Sequence, residues 1–336
     1  MRRKLWLFLF LPLITLAVML LCVCVGSVGI PLEDTVRILL GQQSADSTLG
    51  SILLKVRLPR VLCVALEGAS LSLCGAAMQG ILRNPLADGS TLGVSSGASL
   101  GAAVAILLGI TLPGIHASGT MVMAMLFAFG SLVLILSLAW TLDHSMATNS
   151  IILIGVIFSM FVTAIMSLLV TFSGEKLRTI TFWTMGSLAS STYSQALILF
   201  IALLLGSCIL ISCSTALNAF ALGEHQAQHL GVHVKAVKLV VMITVSMLIG
   251  VCVSIGGGIG FVGLVTPHML RMLLGPDHHT LLSASIFGGA TFLLLCDLAA
   301  RTIFSPIELP IGVVTSIIGA VVFIIIFART KKRRDA

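Results

Sequence analysis

Few side chains that could do chemistry lie near the long apolar segments of this 336-residue sequence. Asp297 and Arg301 are one helical turn apart with the acid first, a spacing typical of an ion pair within a helix. Glu67 has no such local partner, and it is either a pathway residue or a buried hydrogen-bonded acid. Arg57, Arg60 and Arg301 lie at the ends of apolar segments, where guanidinium groups either bind carboxylates or reach toward lipid headgroups.

The histidines and cysteines predict neither a metal site nor a cofactor. His225, His229 and His233 recur at every fourth residue, a spacing that suits a metal ion, but Gly231 interrupts the series and no carboxylate completes it. The eight cysteines lie in or beside apolar segments without a CxxC pair, so we interpret them as packing residues. The sequence has no GxxxxGKS/T phosphate loop and no nucleophile–base constellation, and we do not predict an enzyme.

The elements that must hold these residues are apolar segments of membrane-spanning length. Hydrophobic residues make up 58% of the chain and charged residues 9%, with a mean hydropathy of +1.15, which excludes a water-soluble domain. The apolar runs are long and continuous, which excludes a closed β-barrel. We therefore predict an all-α, polytopic integral membrane protein with about ten transmembrane helices. The predicted spans are residues 5–27, 62–82, 94–113, 119–141, 150–172, 195–214, 237–255, 259–275, 281–304 and 311–328.

An even number of spans places both termini on one side, and the basic residues identify that side as the cytoplasm. The basic residues behind the net charge of +7 bunch at the predicted membrane edges, where topology explains them, so we predict no nucleic-acid partner. Of the two long outer loops, 30–56 and 173–194, the second is predicted to hold a short amphipathic helix; the polar inner loop 215–236 is also compatible with helix. The predicted cytoplasmic basic residues are Arg2, Arg3, Lys4, Arg83, Lys235, Lys238, Arg271 and the five lysines and arginines of 329–334.

Several long motifs occur in a fixed order along the chain. They are RLPR at 57–60, a helix of small residues ending near Gln79, RNPLAD at 83–88, LGVSSGA at 92–98, LGEHQAQHLG at 222–231, GFVGLVTPH at 260–268 and ELPIGVVT at 308–315. The chain resembles the FecCD-type permease subunits of bacterial ABC importers for ferric siderophores, haem and cobalamin. One departure is visible, because Gly89 stands where the family usually has proline after RNPLAD.

The resemblance implies a function and a set of partners. The chain would be one transmembrane permease domain, residues 1–336, in the bacterial cytoplasmic membrane, with the cytoplasmic coupling loop 215–236. It would move an iron chelate, a ferric siderophore before cobalamin or haem, using ATP hydrolysed by separate cytoplasmic subunits. An extracytoplasmic binding protein would deliver the cargo, and a second copy or a close homologue would complete the pathway within the lipid bilayer.

The resemblance also implies roles for particular residues. Arg57, Arg60 and Arg301 would dock acidic residues of the binding protein. Leu222, Gly223, Glu224, Ala227, Leu230 and Gly231 would couple to the ATPase. Gln79, Asn84, Leu86, Thr148 and Asn149 would form the cytoplasmic gate. The alternative is a secondary transporter driven by an ion gradient, for which only Glu67 and Asp297 offer carboxylates at membrane depth.

Overall fold

The computed structural model describes residues 2–26, 29–40, 42, 47–111, 119–144 and 147–334. Over these ranges the chain is helical and contains no β-strand, which confirms the predicted all-α class. The helices are α1 (Arg2–Cys24), α2 (Leu32–Leu39), α3 (Thr48–Ser51), α4 (Leu58–Ile81), α5 (Val94–Leu108), α6 (Gly119–Leu142), α7 (Thr148–Thr171), α8 (Leu177–Thr184), α9 (Tyr193–Ser212), α10 (Ser214–Phe220), α11 (Glu224–His229), α12 (Val234–Gly256), α13 (Val262–Leu274), α14 (His278–Thr302) and α15 (Ile311–Arg334).

Six helical segments are long and apolar enough to cross a membrane: Thr48–Ile81, α6, α7, α9, α12 and α14. Four further apolar stretches are shorter and belong to α1, α5, α13 and α15. Each of the ten predicted spans therefore coincides with an apolar helix or a large part of one. Lipid-exposed helices such as α7 keep apolar residues all round, because both lipid and the protein interior favour them.

Helix α4 lies at the centre of the bundle and is buried over almost its whole length. Its small residues explain this position. A β-carbon at Gly68 would overlap the backbone of Gly289 on α14, and one at Gly75 would overlap the backbone of Gly263 on α13. Close approach of backbones through glycine is the usual basis of helix packing in lipid, since no apolar surface is removed from water there.

The predicted span at 62–82 is wrong at its beginning. The helix starts at Thr48, passes through a π-helical turn at Ile52–Arg57 and continues as α4, so the outer loop 30–56 contains α2 and α3 and is partly helical. Pro59 does not prevent this, because proline is tolerated in the first turn of α4, where its missing N–H costs no hydrogen bond within that helix.

Two other helix ends have local causes. Helix α4 stops at Ile81, two residues before Arg83 adopts a left-handed conformation with φ 49°, and Pro85 follows. Helix α5 ends at Leu108, short of the predicted 113, because Gly109 takes φ 66° and caps it. Residues 112 and 113 of that prediction lie outside the described residues.

The loops contain the helices that the sequence predicts for them. The outer loop 173–194 holds α8, with Ile180 as its buried residue. The inner loop 215–236 holds most of α10 and all of α11, which lie between the end of α9 and the beginning of α12.

Candidate coupling and gate site

Helix α11 is the short helix predicted to couple to an ATPase. It begins after Gly223, whose φ of 117° is accessible to glycine, and it ends shortly before Gly231, at φ 84°. Ala227 is fully buried and belongs to a small apolar cluster with Phe220 and Val234. One face of α11 is therefore fixed to the end of α10 and the beginning of α12.

Two leucines flank α11 and remain uncovered in this chain. Leu222 is 62% exposed and Leu230 is 65% exposed, and neither belongs to a membrane-spanning helix. Ala227 between them faces inward, whereas His225, Gln226, Gln228 and His229 are exposed like the two leucines, so this segment presents both polar and apolar side chains. Such a surface, with apolar side chains beside polar ones, suits contact with another protein.

Glu224, the first residue of α11, connects this helix to two membrane helices. Its carboxylate accepts a hydrogen bond from Thr148 Oγ1 at 3.1 Å, at the beginning of α7. It also accepts one from Lys238 Nζ at 2.8 Å, in the first turns of α12. The Lys238 side chain is only 3% exposed, whereas that of Glu224 is 35% exposed. We call Thr148, Glu224 and Lys238 the Glu224 cluster.

The beginning of α7 is held in place by an acid that precedes it. Asp143 accepts hydrogen bonds from the Ala147 backbone N–H at 3.1 Å and from Ser150 Oγ at 2.7 Å. A carboxylate at a helix N-terminus is favourable because it satisfies free N–H groups and opposes the positive end of the helix dipole. The hydrogen bonds of Asp143 thus connect the residues before α7 to its first turn, which carries Thr148.

Helix α10 is anchored separately, to the beginning of α14. Asn218 Nδ2 donates to Asp277 Oδ1 at 2.8 Å, and Asn218 Oδ1 accepts from the His278 backbone N–H at 2.9 Å. Partial burial pushes the pKa of Asp277 upward, but the hydrogen bonds from Asn218 and from the His279 backbone N–H outweigh burial and lower it. The inner loop is therefore tied to α7 and α12 through α11, and to α14 through α10.

The predicted gate residues fall in three different places. Gln79 is buried, and its Nε2 donates to the carbonyl oxygens of Gly263 and Leu264 at 3.3 and 3.2 Å, which ties the end of α4 to the beginning of α13. Asn84 and Leu86 lie in the exposed turn after α4, where Asn84 Oδ1 accepts from the Leu86 backbone N–H at 2.9 Å.

Thr148 and Asn149 form the third place, at the beginning of α7. Among the described residues, no hydrogen bond or ion pair joins either of them to Asn84 or Leu86. Polar contacts within one copy of the chain therefore do not join the turn after α4 to the beginning of α7. Asn149 and Leu86 are exposed.

The three predicted docking arginines are buried at the opposite end of the bundle. Arg57 Nη1 donates to the carbonyl oxygens of Val23 and Cys24 at 2.9 and 3.0 Å, and Arg301 Nη2 donates to that of Cys22 at 3.2 Å. These are the last carbonyls of α1, which have no partner within the helix. The two guanidinium groups therefore cap α1 and oppose the negative end of its dipole.

Arg60 and Arg301 share one buried acid. Arg60 donates to Asp297 Oδ1 from Nε at 3.1 Å and from Nη2 at 2.9 Å, and its Nη1 donates to Glu308 at 2.8 Å. Arg301 Nε lies 3.0 Å from Asp297 Oδ2, which confirms the predicted pair within α14. Asp297 is fully buried, whereas the Glu308 side chain is 37% exposed. We call Arg57, Arg60, Asp297, Arg301 and Glu308 the outer arginine cluster, after the predicted topology.

A profile of the FecCD transport family matches residues 14–329, nearly the whole sequence. The chain belongs to the FecCD transport family. Members of this family are membrane permeases of ABC importers rather than catalytic subunits, so this chain is an ABC-importer permease and a multi-pass protein of the inner membrane.

Individual relatives of this chain are also permease proteins, and each matches it over most of its length. The uncharacterized ABC transporter permease YvrB of Bacillus subtilis is 43% identical over 90% of this chain and 88% of its own. The molybdate import system permease MolB of Haemophilus influenzae is 38% identical over 85% and 84%. The hemin transport system permease HmuU of Yersinia pestis is 35% identical over 95% and 96%.

A solved structure shares the fold of this FecCD chain. It is described as an inward-facing conformation of a putative metal-chelate type ABC transporter. Its TM-score is 0.85 at 35% identity, and the match covers 96% of this chain and 98% of the other. The arrangement of helices described above is therefore the arrangement of an ABC-importer permease.

Sequence reasoning missed several residues of the inner site. Lys238 was counted only as a cytoplasmic basic residue, although a lysine inside an apolar helix must find a partner. That requirement, together with a glutamate in the preceding polar loop, was the available signal. Asp143 and Asn218 left no comparable signal, because single polar residues at helix ends are common and their partners lie far away in sequence.

Proposed function

We propose that this FecCD-family chain is the membrane-spanning subunit of an ATP-driven importer that moves an iron chelate across the cytoplasmic membrane. Ferric siderophores are the first candidates, followed by cobalamin and haem. The whole chain, residues 1–336, would act as one permease domain, with 215–236 as its cytoplasmic coupling loop. It would hydrolyse no ATP itself.

The observation that carries this proposal is the Glu224 cluster beside the exposed leucines. Leu222 and Leu230, which flank α11, are exposed to a partner, while Glu224 on α11 bonds to the beginnings of α7 and α12. A partner that pushes or pulls α11 would therefore displace two membrane helices directly. A solvated loop helix with no mechanical role would not need a lysine buried beside its first residue.

We further propose that the gate is completed by a second copy of the chain or by a close homologue. Thr148 and Asn149 would lie on one side of the pathway within each copy, with Asn84 and Leu86 in the adjoining turn. The exposure of Asn149 and Leu86 supports this, since a gate residue must be free to reach its counterpart. Gln79 would fix α13 against α4 beside the gate rather than close it.

Docking of an extracytoplasmic binding protein remains a prediction for Arg57, Arg60 and Arg301. Their guanidinium groups cap α1 and hold Asp297, so docking through them would require Glu308 to give up Arg60 to an acidic residue of the partner. Glu308 is the exposed member of the cluster, and it would be the first group that a binding protein meets.

The test is uptake by proteoliposomes that contain the permease and its ATPase subunits, with ATP on the side of α11. Uptake should require the ATPase subunits and should continue after ionophores collapse proton and sodium gradients, because nucleotide supplies the free energy. A panel of ferric siderophores, haem, cobalamin and molybdate identifies the cargo. Uptake that stops with the ionophore, or that needs no ATPase subunit, would contradict the proposal and favour a secondary transporter.

A further inference from the structure

Among the described residues, the carboxylates of Asp297 and Glu67 are both fully buried, but their surroundings are opposite in charge and hydrogen bonding. Asp297 accepts two hydrogen bonds from Arg60 and forms an ion pair with Arg301. Glu67, on α4, is also fully buried, yet neither of its carboxylate oxygens has a hydrogen-bond partner among the described residues. A buried ionised carboxylate without a partner is strongly unfavourable in a protein interior or in lipid.

Among the described residues, no positively charged group faces the Glu67 carboxyl. The titratable groups that face it are two thiols, Cys63 on α4 itself and Cys252 on α12. Arg60 lies about two turns away along α4 and is occupied by Asp297 and Glu308. Over the described part of α9, α13 and α14, no charged group faces the carboxyl. No group of three metal-ligating side chains occurs there either, so a metal ion would find too few ligands.

Gly256, the last residue of α12, packs directly against the carboxyl group of Glu67. A β-carbon at this position would overlap both oxygens of Glu67, so the backbone of α12 lies directly against the acid. Gly256 also belongs to a junction of three segments. Its carbonyl oxygen accepts from the Ser187 N–H at 2.8 Å, and Gly257 follows with φ 72°. The C-terminal end of α12 carries partial negative charge, which further disfavours a carboxylate here.

We propose that Glu67 is a buried proton-binding site, held as the neutral acid while α12 covers it through Gly256, and that it releases its proton to water when α12 separates from α4. In that step the carboxyl O–H bond breaks, the proton passes to a water molecule admitted to the gap, and the negative charge stays on the carboxylate. The covered state binds one proton more than the separated state, so acidic pH favours it and rising pH removes that advantage.

The contact between Gly256 and Glu67 lies next to a cavity between α4 and α12. This cavity of about 160 Å³ begins one turn farther along both helices, where Leu71 of α4 and Val253 of α12 line it together with Gly258 and the acid Asp88. Separation of α4 from α12 at Gly256 would extend this cavity to the Glu67 carboxyl and admit water. The proton on Glu67 therefore reports whether this contact is open or covered.

The direct test is infrared difference spectroscopy on the purified full chain in lipid nanodiscs. Wild type at neutral pH should show the C=O band of a protonated carboxylic acid, and this band should be lost in Glu67→Gln. Glu308→Gln is the matched control and should keep the band, because that acid is partly exposed and paired with Arg60. Absence of the band in wild type, or its persistence in Glu67→Gln, would overturn the proposal.

A second measurement tests the link to the helix contact. Thermal stability of wild type should fall, relative to Glu67→Gln, as pH rises from mildly acidic to alkaline, while Glu308→Gln should follow wild type. Glutamine has nearly the same shape without the charge, so the comparison isolates ionisation. Parallel pH profiles for wild type and Glu67→Gln would overturn the switch. A carboxylate band that shifts when sodium replaces potassium would also overturn it, because it would show a bound cation instead of a proton.

Discussion

The outer arginine cluster and the Glu224 cluster lie at opposite ends of the bundle and differ in how completely their charges are enclosed. In the outer cluster, Asp297 and the three arginines are buried, and Glu308 alone is substantially exposed. In the Glu224 cluster, Lys238 is buried but Glu224 is 35% exposed and belongs to a short helix on a loop. The charges of the outer cluster are mostly buried inside the helix bundle, whereas the Glu224 cluster pairs a buried lysine with a partly solvent-exposed carboxylate.

This difference indicates different tasks for the two clusters. An enclosed network with few unpaired groups is costly to rearrange, because every broken pair leaves a charge without solvent. A pair with one exposed member exchanges partners more easily, since water can solvate that member. We therefore expect the outer cluster to keep α1, α4 and α14 together through the transport cycle, and the Glu224 cluster to transmit movement.

The largest expected effect comes from removing the shared acid of the outer cluster. Asp297→Ala leaves Arg60 and Arg301 buried with one partner fewer each, and we expect a loss of about 3–5 kcal/mol of stability, or no folded protein. Thermal unfolding of the purified permease measures this. Glu308→Gln is the control and should cost clearly less, because water can reach that site; equal losses in the two variants would show that enclosure is not what distinguishes the cluster.

A smaller loss of stability is expected in the Glu224 cluster. Glu224→Ala leaves the Lys238 ammonium group almost buried without its carboxylate, which should cost about 1–3 kcal/mol. The reverse change, Lys238→Met, should cost less, because the exposed carboxylate of Glu224 is then solvated. Urea or thermal unfolding of both variants gives the comparison, and a larger loss for Lys238→Met would refute the asymmetry.

The exposed leucines should affect binding but not folding. Leu230→Ala should weaken association with the ATPase subunits by more than about 1 kcal/mol if Leu230 lies centrally in that interface. The stability of the permease alone should change by no more than about 0.5 kcal/mol, because the side chain is largely exposed. Association is measured by titrating ATPase subunits onto permease in nanodiscs. Exposed Leu108, outside the inner loop, provides the control variant Leu108→Ala, which should bind normally.

The smallest effect concerns pH and the anchor of α10. The pKa of Asp277 is lowered in the folded protein, so its contribution to stability is present above its unfolded pKa and is lost as pH falls through the folded value. Asp277 is partly exposed and solvent screens its charge, so the effect should stay below about 1 kcal/mol. Unfolding midpoints of wild type and Asp277→Asn should differ at neutral pH and converge under acidic conditions; a constant difference would contradict this assignment.

The sequence predicted the fold better than it predicted the surroundings of individual residues. Apolar length fixed the spans, and small residues on α4 indicated close packing, because both depend on local composition. The pair of Asp297 with Arg301 was also predictable, since one helix holds both. The capping of α1 by Arg57 and the bond from Lys238 to Glu224 depend on which helices become neighbours. Burial of the arginines could not be read from their position at helix ends.

The helical residues before the second predicted span were also missed, because local composition does not report tertiary packing. Residues 48–57 are less apolar than the segment that follows, and composition assigned them to a loop. Packing of Leu53 and Arg57 against the bundle makes the segment helical, and that packing is a tertiary effect. Glu67 was flagged by its lack of a local partner, but its burial against Gly256 required the structure.

The most direct test of the account is the number of cargo molecules imported per ATP hydrolysed, measured in the same proteoliposomes for wild type, Glu224→Gln and Leu230→Ala. If Glu224 connects α11 to α7 and α12, Glu224→Gln should keep ATP hydrolysis and lose uptake, so the ratio falls about tenfold or more. Leu230→Ala should lower hydrolysis and uptake together and keep the ratio. An unchanged ratio in Glu224→Gln would show that movement does not pass through this contact.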